Sequence, residues 1–110
     1  MAQKFKAKAQ KKIDEITAYL IKNDVGISPP ISIKLNILQS LIIDYLNAEE
    51  YLQKNGYITT FNRGTSVGLN PIIKLKYENI KQIRKLLKEI TPKEEGENVE
   101  EFIRSLTEQN

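Results

Sequence analysis

The run ISIKLNILQSLIIDYLNAEEYLQKN, residues 31 to 55, constrains this chain more than any other segment. Leu35, Leu38, Ile42, Tyr45, Ala48 and Leu52 recur at helical spacing on one stripe. Ile37, Leu41, Ile43 and Leu46 add apolar surface on other sides. A helix apolar over so much of its circumference must be covered from more than one direction. Either it is the central core helix of a monomer, or several copies of the chain enclose it. Few other helices are available in 110 residues, so the expectation is self-association.

The remaining segments arrange themselves around that helix. Upstream, Ile13, Ile16, Tyr19 and Leu20 predict a helix from about Ala9 to Lys22. Asn23-Asp24-Val25-Gly26 stops it, and Ser28-Pro29-Pro30 delays the next, for which Ser32 is the candidate cap. Downstream, Asn55-Gly56 ends the long helix. Tyr57 to Phe61 then alternate as a strand does, Asn62-Arg63-Gly64 has turn chemistry, and Thr65-Ser66-Val67 returns. Asn70-Pro71 reads as a cap with proline at the first helical position. The helix after it places Ile72, Ile73, Tyr77, Ile80, Ile83, Leu87 and Ile90 on one arc. On the opposite arc, Lys74, Lys81, Lys85 and Lys88 fall within about 40° of one line, with Glu78 among them. Thr91-Pro92 stops this helix, and Val99, Phe102, Ile103 and Leu106 predict a last short amphipathic one.

The predicted fold is thus mainly α: a long antiparallel helical hairpin with a short β-hairpin at its tip, flanked by an N-terminal and a short C-terminal helix. Three regions follow: a basic arm and helix at 1–30, the hairpin at 31–92, and an acidic segment at 93–110.

Charge is unevenly placed although the net value is only +3. Lys4, Lys6, Lys8, Lys11 and Lys12 precede any acid, whereas Glu94, Glu95, Glu97, Glu100 and Glu101 crowd the other end. A basic arm and a lysine stripe are the electrostatic footprint of a phosphate backbone. An ordinary solvated surface accounts for each equally well. The chain has no cysteine and no histidine, which removes disulfides, thiolate catalysis and the usual general base. It has no phosphate loop either: Gly64 and Gly68 lack a following Lys-Ser/Thr. Glu49 and Glu50 point about 100° apart on a helix and make no catalytic pair. No enzymatic activity, cofactor or metal is expected. No apolar run approaches the roughly 20 residues needed to cross a bilayer, and the basic N-terminus lacks the apolar core of a signal peptide.

In order and spacing, residues 35 to 92 resemble the small terminase subunits of tailed bacteriophages. The features are a long helix with Tyr45, Ala48 and Leu52, then Gly56, a β-prone tip, Asn70-Pro71 opening a second long helix, and the Thr91-Pro92 stop. The chain departs from that pattern in lacking an upstream tryptophan and in carrying Lys93-Glu94-Glu95 where relatives continue with serine and arginine. The resemblance implies a ring of identical, non-catalytic subunits in the cytoplasm of an infected bacterial host. The ring would bind double-stranded viral DNA and present it to the large terminase subunit, which holds the ATPase and nuclease.

On that reading the DNA-contacting residues are Lys4, Lys6, Lys8, Lys11, Lys12, Lys74, Lys81, Lys85, Lys88 and Arg63. Assembly would use Leu38, Leu41, Ile42, Tyr45, Leu46, Leu52, Tyr57, Ile58, Phe61, Ile73, Tyr77 and Ile80. Phe102, Ile103 and Leu106 would dock the large subunit or, alternatively, pack on their own ring. The competing reading is a small helical DNA-binding transcriptional regulator acting as a dimer.

Overall fold

The computed structural model describes residues 2–56, 58–61, 66–90 and 96–106, with side chains placed for 4–56, 70–90 and 100–106. A single 3-10 turn, Ala2–Phe5, leads into α1, Lys6–Lys22. There follow α2, Pro29–Asn55, the strands β1, Ile58–Phe61, and β2, Ser66–Leu69, then α3, Ile72–Ile90, and α4, Gly96–Ser105. The protein is mainly helical.

Two helix boundaries differ from the sequence reading. The N-terminal helix begins at Lys6, so most of the expected arm is helix, not a free tail. The long helix begins at Pro29, with Ser28 in the cap position instead of Ser32. Prolines at the first two helical positions cost nothing there, because those N–H groups have no intrahelical partner anyway.

The long helix α2 is the spine, and both neighbours run antiparallel to it. Lys34 pairs with Glu89 at 3.2 Å and Glu49 with Lys76 at 2.5 Å, which sets the direction of α3. Gln39 donates to Gln10 at 3.0 Å, and Glu50 pairs with Lys4, which sets the direction of α1. At about 100° per residue, the Lys34–Glu49 side and the Gln39–Glu50 side of α2 lie some 100° or more apart. Two different faces of α2 are therefore covered from within one chain. α4 packs on α3, where Arg84 grips Glu100.

One continuous core results, joining Ala9, Ile13, Ile16 and Leu20 of α1 to Leu35, Leu38, Ile42, Tyr45 and Leu46 of α2. Ile83, Leu87 and Ile90 of α3 complete it with Ile103 and Leu106 at the C-terminal end. Fully burying a side chain of this kind contributes about 1.5–3 kcal/mol. The expectation that copies must enclose the α2 stripe is corrected here. Leu38, Ile42, Tyr45, Leu46 and Leu52 are buried inside a single chain and have no surface left for a second copy. α1 and α3 supply the coverage that counting helices from sequence underrated.

At the far end of the spine, Gly56 takes φ 83° and ψ 161°, a region open essentially to glycine, and its N–H caps Leu52 at 2.7 Å. β1 and β2 pair antiparallel, with Ile58 opposite Leu69 and Phe61 opposite Ser66. The second strand thus runs past Val67 to take in Gly68 and Leu69. Asn70 ties off the base of this insertion. Its Oδ1 accepts from the Ile72 N–H at 3.0 Å, capping α3, while its Nδ2 donates to the Gly56 carbonyl at 3.2 Å. Tyr57, Arg63, the Asn62-Arg63-Gly64 turn and the Thr91-Pro92 stop lie outside the described residues.

The molecule is a rod of 57 × 27 × 26 Å with a radius of gyration of 16.2 Å, against about 13 Å for a compact chain of this length. Replacing Ile42, wholly buried, by alanine should cost about 2–5 kcal/mol of unfolding free energy in urea. Ile21→Ala, on the exposed face of α1, should change it by no more than about 0.5 kcal/mol.

Candidate nucleic-acid interface

The basic residues divide into those neutralised by the fold and those left to solvent. Lys4 is hydrogen-bonded to Glu50, and that contact holds the Glu50 carboxyl below its ordinary range. Lys12 is the clearest departure from expectation. It sits buried on the inner face of α1, its Nζ donating to Ser105 Oγ at 3.2 Å and standing 3.7 Å from Glu15. Ser105 Oγ in turn donates to the Phe102 carbonyl at 2.7 Å. Lys12 is therefore a structural link between α1 and α4, and its place among the DNA-contacting residues is withdrawn. A lysine stem can lie along apolar surface while its ammonium finds a polar partner, which a count of charges cannot reveal.

Lys6 and Lys11 are exposed and Lys8 is half-buried, but helical geometry spreads them around α1. Asp14 and Glu15 share its outer surface. These lysines form no stripe.

On α3 the arrangement is different. Lys74, Lys81, Lys85 and Lys88 are all exposed, and none has an ion-pair partner within 4 Å among the described residues. Ile83 and Leu87 hold the opposite face against the core, so the ridge points directly away from α2. From Lys74 to Lys88 it measures about 21 Å at 1.5 Å per residue. Lys76, about 150° around the helix from the ridge, is turned inward and spent on Glu49, with both side chains largely buried. Lys88 is the least independent of the four, because its field reaches Glu100.

That carboxyl is held mainly by Arg84, whose Nε and Nη2 donate to it at 2.7 and 3.1 Å. The guanidinium keeps Glu100 ionised below the ordinary carboxylate range, and Lys88 and Arg104 reinforce it. The pair fastens the outer side of α4, and Ile103 and Leu106 bury the inner side. The expected large-subunit docking surface is corrected accordingly. Of its three residues Phe102 is half-buried while Ile103 and Leu106 are buried, and the segment packs on its own chain.

Of the residues assigned to assembly, Leu41, Ile73 and Ile80 are half-buried and Tyr77 is exposed. Ile58 and Phe61 stand in β1 at the tip. Sequence reasoning missed Ile33, Tyr51 and Leu75, all exposed. Leu75 could have been found, since it lies about 80° off the Ile83 line and serves no buried stripe.

Among the described residues no group of histidine, cysteine, aspartate and glutamate could hold a metal ion. No described helix is long and apolar enough to cross a membrane. No protein-family model, no curated protein and no solved structure matches the chain. The likeness to terminase small subunits therefore rests on the order and spacing of residues 35–92.

A depressed carboxylate pKa adds stability above the unfolded value and loses it as pH falls through the folded one. The Arg84–Glu100 contribution should thus be complete at neutral pH and fade as the solution is acidified below about 4.5, the ordinary value for Glu100. Both side chains are partly exposed, so Glu100→Gln should cost less than about 1 kcal/mol at pH 7. Urea midpoints of the two proteins should converge in acid; a gap that persists would mean that the ion pair does not fasten α4.

Proposed function

We propose that this protein is a non-catalytic, self-associating DNA-binding subunit of the terminase small-subunit type. In this reading it holds double-stranded viral DNA in the infected bacterial cytoplasm and passes it to a large subunit that carries the ATPase and nuclease. One observation carries the DNA-binding part: the lysine ridge of α3, exposed along one line with no ion-pair partner among the described residues. Every other described lysine that faces a glutamate across a helix seam is paired with it. A ridge about 21 Å long matches some six base-pair steps at 3.4 Å along one strand.

Such a ridge reads charge, not sequence, because lysines on phosphates position a protein without discriminating bases. A single chain would bind weakly. Several chains on one duplex gain through effective concentration, which is why self-association belongs to the same proposal. The ring form of that assembly is part of the reading, as is a contribution from Lys6, Lys8, Lys11 and Arg63. The absence of cysteine and histidine fits a subunit that leaves the chemistry to a partner. The regulator alternative gains nothing from the geometry: α1 and α2 are separated by residues 23–28, longer than the three- or four-residue turn of a helix-turn-helix.

The test is DNA affinity as a function of salt. Replacing Lys74, Lys81, Lys85 and Lys88 together by glutamine should weaken binding to any duplex. The slope of log affinity against log salt should shrink by up to about 3.6, at 0.9 for each phosphate neutralised. Lys12→Gln should leave that slope unchanged while lowering the unfolding midpoint. An unaltered slope in the fourfold variant would remove α3 as the DNA-binding element.

A further inference from the structure

Two aromatic side chains stand exposed among the described residues, Tyr51 on α2 and Tyr77 on α3. Their surroundings differ in charge. Tyr51 lines a groove of about 410 Å³ whose lining includes Asp44 and no lysine or arginine. Tyr77, 62% exposed, stands at the edge of the lysine ridge. It follows Lys74 by three residues and precedes Lys81 by four, the spacings at which helical side chains are neighbours. Around the axis it lies about 60° from Lys74, 40° from Lys81 and 20° from Lys88.

This sector of α3 has no acid of its own. Glu78, the one carboxylate on the ridge, lies about 100° around the helix from Tyr77, on the far side of Lys74. Glu100 of α4, which Arg84 brings to this side, is engaged by that guanidinium. Toward the core, Ile73 and Ile80 flank Tyr77 and are half-buried. The ring is thus left out of the core, with free lysines on its solvent side and apolar neighbours on the other. A ligand that is anionic along its length and carries planar rings fits such a surface.

We propose that Tyr77 is a stacking platform for an unpaired nucleotide base, so that the α3 ridge binds single-stranded DNA as well as duplex. The site is the ridge of the proposed function, and the inference rests on that reading. Within a duplex the base faces are stacked on one another, and the lysines meet only phosphates. An unpaired strand offers phosphates to Lys74 and Lys81, about 10.5 Å apart along the axis, and a free base face to the ring between them. Every base has such a face, so the contact adds affinity for unpaired strands without reading sequence. One stacked base accounts for about 5- to 150-fold in affinity.

The experiment measures binding of the full chain at low salt to three ligands of equal length: an oligothymidylate, the same backbone without bases, and a duplex. Tyr77→Ser removes an exposed side chain and should unfold at the wild-type midpoint. It should bind the oligothymidylate at least fivefold more weakly and the duplex as tightly as before. Tyr77→Phe keeps the ring and should match the wild type on all three. The wild type should itself bind the abasic strand at least fivefold more weakly than the intact one. On that strand Tyr77→Ser should lose nothing further, because the stacking partner is already gone.

A Tyr77→Ser protein that binds the oligothymidylate like the wild type overturns the proposal, and so does one that loses as much on the abasic strand as on the intact one. A change confined to the sedimenting mass, with both DNA affinities intact, would make Tyr77 a protein-contact residue and overturn it too. The fourfold lysine variant tells this failure from that of the underlying reading. If it loses both forms of DNA while Tyr77→Ser loses neither, the ridge stands and only the stacking platform falls. If it keeps both, or if the wild type binds neither, both fall together. A wild type that binds the oligothymidylate through Tyr77 but no duplex removes the duplex reading and leaves the platform.

Discussion

The structure depends on how α2 is covered. A helix with leucine, isoleucine and tyrosine on several sides cannot rest against one partner, and this chain gives it two antiparallel neighbours on faces some 100° or more apart. The polar contacts mark those seams but do not drive them. Partly exposed ion pairs contribute little, whereas the buried leucines and isoleucines of the core each contribute about 1.5–3 kcal/mol. Registry is what the pairs add: Lys34 with Glu89 and Glu49 with Lys76 fix how α3 slides along the spine.

The same packing decides the electrostatic surface. Charges that fall at a helix seam are consumed there, as Lys4, Lys12, Lys34, Lys76 and Arg84 are. Charges pointing away from every seam stay free, and on α3 they lie along one line. Modest net charge thus coexists with a locally basic ridge. Elongation has a related effect. A rod covers less of its own apolar surface than a sphere, so both flanks of the α2–α3 pair keep exposed isoleucine, leucine and tyrosine.

At the tip, the short paired strands are tied at their base by Asn70, which bonds the Gly56 carbonyl and the Ile72 N–H together. Two short strands alone are marginal in water. Anchoring both ends to long helices reduces the conformational freedom they must lose, and that is the role the structure gives to Asn70. The sequence reading saw in this residue only a helix cap.

Much was legible in advance because it is local. The order of helices, the apolar stripe of α2, the two-faced character of α3 and the glycine and proline boundaries all follow from spacing and from backbone preferences of single residues. The exposed alignment of Lys74, Lys81, Lys85 and Lys88 followed too, since one helix turn of 100° per residue determines it. Other outcomes required the tertiary structure. Whether the second apolar side of α2 meets α1 or another copy, whether Lys12 faces water or Ser105, and whether Ile103 and Leu106 wait for a partner or close the core are matters of which surfaces come together. Periodicity specifies which face of a helix is apolar, but burial is a property of pairs of faces, and pairing is settled only when the whole chain competes for the same surface.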